Sequence, residues 1–233
     1  MGHHLISTRK VALIMNENNY AGREYLSKLK DFNIDVICIG SFPELSEIEE
    51  ERCKGLWKPI PQSNLEPFFD FYYFDSLKSE TLQKFISNKN YFLGIQGGTA
   101  IIDEKLIDFF QLGIINFHPG DLPNYRGCSA PEWQLLARKD IICTAHRLTN
   151  EIDAGPIISK KHLNVNLDSY HEFRSSIYPE IAIFVHEILS KSLSDEQFIL
   201  NSIPQDETKA KYWPYHGKEN LKNIYQIFNP KNI

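Results

Sequence analysis

Long apolar runs are missing from this chain, as are closely spaced cysteines, internal repeats and any surplus of basic charge, and each absence removes a class of protein. The apolar stretch Val11-Ala12-Leu13-Ile14-Met15 is far short of the ~20 residues a helix needs to cross a bilayer. It reads as a first strand, and no membrane partner is expected. Four cysteines, Cys38, Cys53, Cys128 and Cys143, form no pair with redox or metal-ligand spacing, which fits reduced thiols in a cytoplasmic protein and gives no metal site. With 25 Lys and Arg against 30 Asp and Glu, the net charge of −5 offers polyphosphate no general attraction, so no nucleic-acid partner is expected. The Met1-Gly2 start has Ile6 where a myristoylation motif needs Ser or Thr. His3 and His4 read as a terminal remnant outside the chemistry.

What is present is an alternation of short apolar runs with helix-length stretches. The runs are 11–15, 36–39, 71–74, 91–95 and 114–117, and strands alternating with crossover helices write a parallel sheet. Helices are expected over 20–29, 78–87 and 102–111. Past the fifth run the pattern changes: a helix at 130–137 with Pro131 in its first turn, strands at 141–148 and 156–165, and a loop between them. Asp168 or Ser169 caps a further helix whose apolar residues Phe173, Ile177, Ile181, Val185, Ile188 and Leu189 follow three- and four-residue steps. Pro179 should kink it. The 233 residues therefore divide into an α/β, Rossmann-like unit over 1–194 with a mostly parallel sheet and flanking helices, and a C-terminal extension over 195–233. The aromatic residues of that extension suit packing on the domain or on a second copy, which leaves room for a homodimer.

Chemistry gathers in two clusters, Asn116-Phe117-His118-Pro119 with Leu122-Pro123-Asn124-Tyr125-Arg126-Gly127, and Asp153-Ala154-Gly155-Pro156-Ile157. Ligands of open α/β sheets sit at the carboxyl ends of strands, where Asn116 and His118 fall. Two residues apart on a strand, they share a face while Phe117 points away. Taken singly, a histidine at a strand end is more often structural than catalytic, and Asp-Ala-Gly is an ordinary turn. Together with a Thr-x-His strand at 144–146, the four motifs in this order suit a site that moves protons around a carbonyl carbon.

These motifs resemble those of the formyltransferases that use N10-formyltetrahydrofolate, over about 91–189. The resemblance implies the formyltransferase fold and a catalytic trio of Asn116, His118 and Asp153, with the folate as co-substrate. It also implies that Gly97, Gly98, Thr99, Ala100 and Ile101, with Ile152 in the loop before the Asp, receive the pterin. Two positions depart from the family wording: Ile142 stands where Gly is frequent, and Gly120 where many relatives have Ser.

Among acceptors other than a sugar, glycinamide ribonucleotide or another small amine is the alternative; glycinamide ribonucleotide calls for a Gly-rich phosphate loop after the first strand, but this chain has Met15-Asn16-Glu17-Asn18-Asn19-Tyr20-Ala21-Gly22. A tRNA acceptor calls for a further basic domain, and the 80 residues after Asp153 in an acidic chain argue against it. The wording Gly-Gly-Thr and Asn-Phe-His-Pro-Gly is most like that of sugar N-formyltransferases, which implies a dTDP- or UDP-linked amino sugar as partner. Tyr20, Trp133 and Trp213 are candidates to stack on its base, and Arg126 to meet its diphosphate. A formyl-folate hydrolase and a folate-binding regulator without catalysis are the readings from other classes.

Overall fold

The computed structural model describes residues 7–40, 49–216 and 218–228. His3 and His4, and the end of the extension at 229–233, lie outside them. β1 (Val11–Asn16) pairs in parallel with β2 (Ile34–Ile39) and with β4 (Leu93–Gln96). β3 (Asp70–Phe74) extends the β2 edge and β5 (Ile114–His118) the β4 edge, both in parallel. β7 (Ile142–Arg147) and β8 (Ile157–His162) then add antiparallel strands, so the seven-stranded sheet runs β3-β2-β1-β4-β5-β7-β8. This mostly parallel sheet with flanking helices matches the expected fold class.

Every residue of β1 and β2 is buried, Asn16 and Asp35 included, and the stretches 11–15 and 36–39 read as unbroken apolar runs because helices cover both faces. Val11, Leu13 and Met15 point into one core with α1 (Tyr20–Lys28) and α5 (Tyr170–Ser194). Ala12 and Ile14 point into the other, with α2 (Glu80–Lys89) and α3 (Glu104–Ile107). Caps are supplied where the sequence offers them: Asn19, Ser79, Asp103 and Ser169 each accept a backbone N–H of their helix's first turn.

One local expectation is revised. The helix expected over 102–111 closes after Ile107, and turns carry the chain through buried Phe110 to Gly113 at φ +76°. α5 runs as one helix through Pro179 to Ser194, and its expected apolar face, Phe173, Ile177, Ile181, Val185, Ile188 and Leu189, is buried.

Between β5 and β7 lie the short β6 (Arg126–Gly127) and α4 (Ala130–Leu136). After α5 the chain forms α6 (Gln197–Leu200), β9 (Tyr212–Trp213), which pairs with β6, and α7 (Lys218–Phe228). Ile224 of α7 is fully buried in the main core, and Tyr225 sits edge-on to Tyr170. Truncating Phe173, fully buried on α5, to Ala is expected to lower unfolding free energy by ~3–5 kcal/mol, measured by urea denaturation.

Candidate active site

β5 ends at the site because Pro119 cannot continue its ladder. The register sets Asn116 opposite His146 and His118 opposite Thr144 on β7, so the Thr-x-His strand lies directly beside the Asn-x-His strand. Thr144 holds the turn that follows His118: its hydroxyl donates to Gly120 O at 2.7 Å and accepts from Leu122 N at 3.2 Å. Gln134 of α4 closes the same turn, accepting from Asp121 N and donating to Pro119 O. Gly120, one of the departures from family wording, is required here. A Cβ on it would lie 2.6 Å from His118 Nε2 and 2.6 Å from Tyr125 O.

Asp153 comes from the β7–β8 loop, in the left-handed region at φ +53°. Its Oδ2 accepts Gly127 N–H at 2.8 Å and stands 3.5 Å from His118 Nδ1. Its Oδ1 is 3.5 Å from Asn116 Nδ2 and 3.7 Å from His146 Nε2. The three residues singled out in the sequence thus converge, and His146 joins them as a fourth. The Thr-x-His motif pointed to that strand, but only the antiparallel register brings its imidazole to Asn116.

Hydrogen-bond chemistry fixes the proton positions. His118 Nε2 faces Tyr125 O at 2.6 Å, and since a carbonyl only accepts, this nitrogen carries hydrogen. In the neutral ring Nδ1 is therefore an open lone pair beside Asp153. Likewise His146 Nδ1 faces Arg147 O at 3.0 Å, so in its neutral ring Nε2 accepts from Asn116 Nδ2 at 3.2 Å, aiming the amide N–H groups toward the cluster. Burial lowers the His118 pKa below its ordinary value, with Asp153 opposing. Burial also opposes ionisation of Asp153, but the positive charge of protonated His118, His146 and the Gly127 N–H outweigh it and hold the carboxyl at about 2. At neutral pH the pair is an ionised carboxylate beside a neutral imidazole.

The cluster opens into a cleft of about 350 Å³. Gly98, Thr99, Ile101, Ile102 and the 148–152 loop line it, and so do Tyr20, Tyr25, Trp57 and Tyr178. Of the residues expected to receive a pterin, Gly98, Thr99, Ile101 and Ile152 line this cleft. Gly97 instead backs onto Leu13, leaving 2.6 Å for a Cβ, and Ala100 is exposed outside the lining. Thr99 Oγ1 is buried without a partner, while Ile101 is 68% and Ile152 50% exposed. An orphan hydroxyl among bare apolar side chains fits a flat heteroaromatic ring with polar edges. Among the described residues no group of three or more His, Cys, Asp or Glu could hold a metal ion, and no helix is long and apolar enough to cross a membrane.

Of the four expected substrate residues, Tyr20 alone lines the cleft. The reading of Arg126 as an anion ligand is corrected: its side chain is 1% exposed and closed off by Glu207 Oε1 at 2.6 Å, Gln205 Oε1 at 2.9 Å and Tyr212 Oη at 3.3 Å. Trp133 and Trp213 pack on each other, with Tyr125 stacked on Trp213 at 5.5 Å. Their indole N–H groups donate to Pro214 O and Asn124 O, so both tie the C-terminal segment down instead of facing the cleft. Gln205 and Glu207 were invisible to motif reasoning because no local pattern marks them.

The mostly parallel seven-stranded sheet with flanking helices is that of the formyltransferase fold. The comparisons point the same way: residues 83–193 match the family model described as formyl transferase. It is 31% identical over 123 residues to a methionyl-tRNA formyltransferase of Thermotoga neapolitana, covering 52% of this chain and 38% of that relative. The chain thus spans less than half the length of this curated relative. A 4-N formyltransferase structure from Francisella tularensis is 22% identical, covers 96% of this chain and 80% of its own, and has a TM-score of 0.58. A sugar 3N-formyl transferase solved in the presence of dTDP and 5-N-formyl-THF is 19% identical, covers 97% and 80%, and has a TM-score of 0.59.

Two outcomes follow. NMR titration of the His118 ring in the free protein should give a midpoint below 6.5, its ordinary value. Unfolding then takes up a proton below that pH, so this residue's contribution to stability is lost as pH falls from 6.5 through the folded-state pKa. Gly155→Ala should lower unfolding free energy by roughly 1–3 kcal/mol, read by thermal melting, because a Cβ there would run into the Arg147 carbonyl.

Proposed function

We propose that this chain transfers the formyl group of N10-formyltetrahydrofolate to the primary amine of a nucleotide-linked amino sugar. The observation that carries the proposal is the convergence of Asn116, His118 and Asp153 at one cleft. The pterin lies against Gly98, Thr99, Ile101 and Ile152, with Thr99 Oγ1 meeting a polar edge. The names of the solved relatives, a 4-N formyltransferase and a sugar 3N-formyl transferase, support the sugar acceptor. Tyr20 remains the candidate to stack on the acceptor, since it faces the cleft.

The residues divide the work by what each can give or take. As the neutral amine attacks, its nitrogen bonds to the formyl carbon and the carbonyl oxygen becomes an oxyanion. Asn116 donates an amide N–H to that oxygen, held at the required angle by His146. The open Nδ1 of His118 takes the proton from the new ammonium, and the ionised Asp153 stabilises the imidazolium so formed. His118 then returns the proton to the folate N10 as the bond from the formyl carbon to N10 breaks. The products are a formamide and tetrahydrofolate.

Incubation with N10-formyltetrahydrofolate and a panel of dTDP- and UDP-amino sugars, read by mass spectrometry, should show one sugar gaining a carbonyl. Formate release with every sugar unchanged would point to a hydrolase, and folate binding without turnover to a regulator. Asn116→Ala, His118→Ala and Asp153→Asn should each lower kcat by ~10²–10⁴ without multiplying in combination. Wild-type turnover in His118→Ala would refute the assignment.

A further inference from the structure

Asp153 holds a left-handed backbone in a loop joining two strands, and such a residue keeps one conformation only when its surroundings over-determine it. Its surroundings come from the far end of the chain. Gln205 Nε2 donates to Asp153 O at 2.8 Å and to Gly155 O at 2.7 Å, filling both N–H positions of one amide with the two carbonyls that flank the turn. Tyr212 Oη reaches Ile152 O at 3.2 Å, and Ile157 and Ile203 exchange backbone hydrogen bonds at 2.8 Å each way just beyond the loop.

The amide orientation of Gln205 is itself determined. Arg126 Nε and Nη2 donate to its Oε1 at 3.1 and 2.9 Å, and a guanidinium has no lone pair to offer, so the oxygen must face Arg126 and the NH2 must face the loop. Glu207 fixes the guanidinium from its other side at 2.6 Å. The residue after Arg126, Gly127, gives its N–H to Asp153 Oδ2. The same short strand therefore holds the carboxylate directly and, through Gln205, the backbone that carries it.

We propose that Gln205 is a positioning residue for Asp153, its amide set by Arg126 and Glu207, and that the segment 203–213 is thereby part of the catalytic apparatus. The kinetic arm of this inference rests on the formyl-transfer reading; the titration arm does not. The groups facing the His118 ring are Asp153 from the β7–β8 loop, His146 from β7 and the Tyr125 carbonyl. Asp153 is the one whose negative charge raises the His118 pKa, so any slackening of its loop is reported there.

Gln205→Ala removes the whole clamp, and Gln205→Glu keeps a partner for Arg126 while losing both donations to the loop. In the free protein both should move the His118 NMR midpoint downward, toward the value in Asp153→Asn, while Gln205→Asn sets how far a shortened amide restores it. In formyl transfer both should lower kcat at least tenfold with the KM for the folate within about twofold, and Gln205→Ala should add nothing in the Asp153→Asn background. An unchanged His118 midpoint in folded Gln205→Glu would overturn the inference, as would a kcat loss that multiplies with that of Asp153→Asn. Shifted midpoints in a protein that formylates no acceptor would uphold the positioning role and overturn the proposed reaction instead.

Discussion

The arrangement depends on one ionised carboxylate kept in a buried place. A carboxylate removed from water is costly unless charge and hydrogen bonds replace the solvent. Asp153 has a backbone N–H from Gly127 and two imidazoles within 3.7 Å. Because its loop is pinned by carbonyl contacts, the charge cannot relax toward water. The neutral His118 beside it is the complement: its Nε2 hydrogen is spent on Tyr125, so the lone pair faces the carboxylate and the cleft. A proton arriving at Nδ1 is met by a charge already in place, which is what preorganisation means for proton transfer.

The fold supplies this geometry by a change of strand direction. Parallel strands β1, β4 and β5 bring Asn116 and His118 to one end of the sheet, the antiparallel β7 brings His146 alongside Asn116, and the β7–β8 loop carries Asp153 back to both. The segment after α5 then returns to pair β9 with β6, closing the back of the site with Arg126, Gln205 and Glu207.

Much of this was legible in sequence, for physical reasons that also explain the remainder. The largely buried strands β1, β2, β4 and β5 carry apolar runs and the half-exposed edge strand β3 an aromatic one, so the five parallel strands could be read with small errors at their ends. The strand expected from Tyr91 runs from Leu93 to Gln96, and the Tyr91 hydroxyl donates to Asp35 at 2.6 Å. Asn116, His118 and Asp153 stand in local motifs with turn-forming neighbours, and the structure brings them together. Arg126 was misread because its exposure could not be known until β9 and Glu207 were placed over it. Gln205 lies in a stretch with neither period nor motif, and its partners are 50 and 52 residues away along the chain. Such contacts are properties of the folded chain, and only a residue type with a fixed local signature announces them beforehand.

A crystal structure with bound 5-formyltetrahydrofolate tests the central claim most directly. The account predicts the pterin between residues 98–102 and 148–152, with N10 within hydrogen-bond reach of His118 Nδ1 and Asn116 Nδ2 facing the space beside it. A folate bound in that cleft with N10 directed away from both side chains, or bound elsewhere on the sheet, would contradict it.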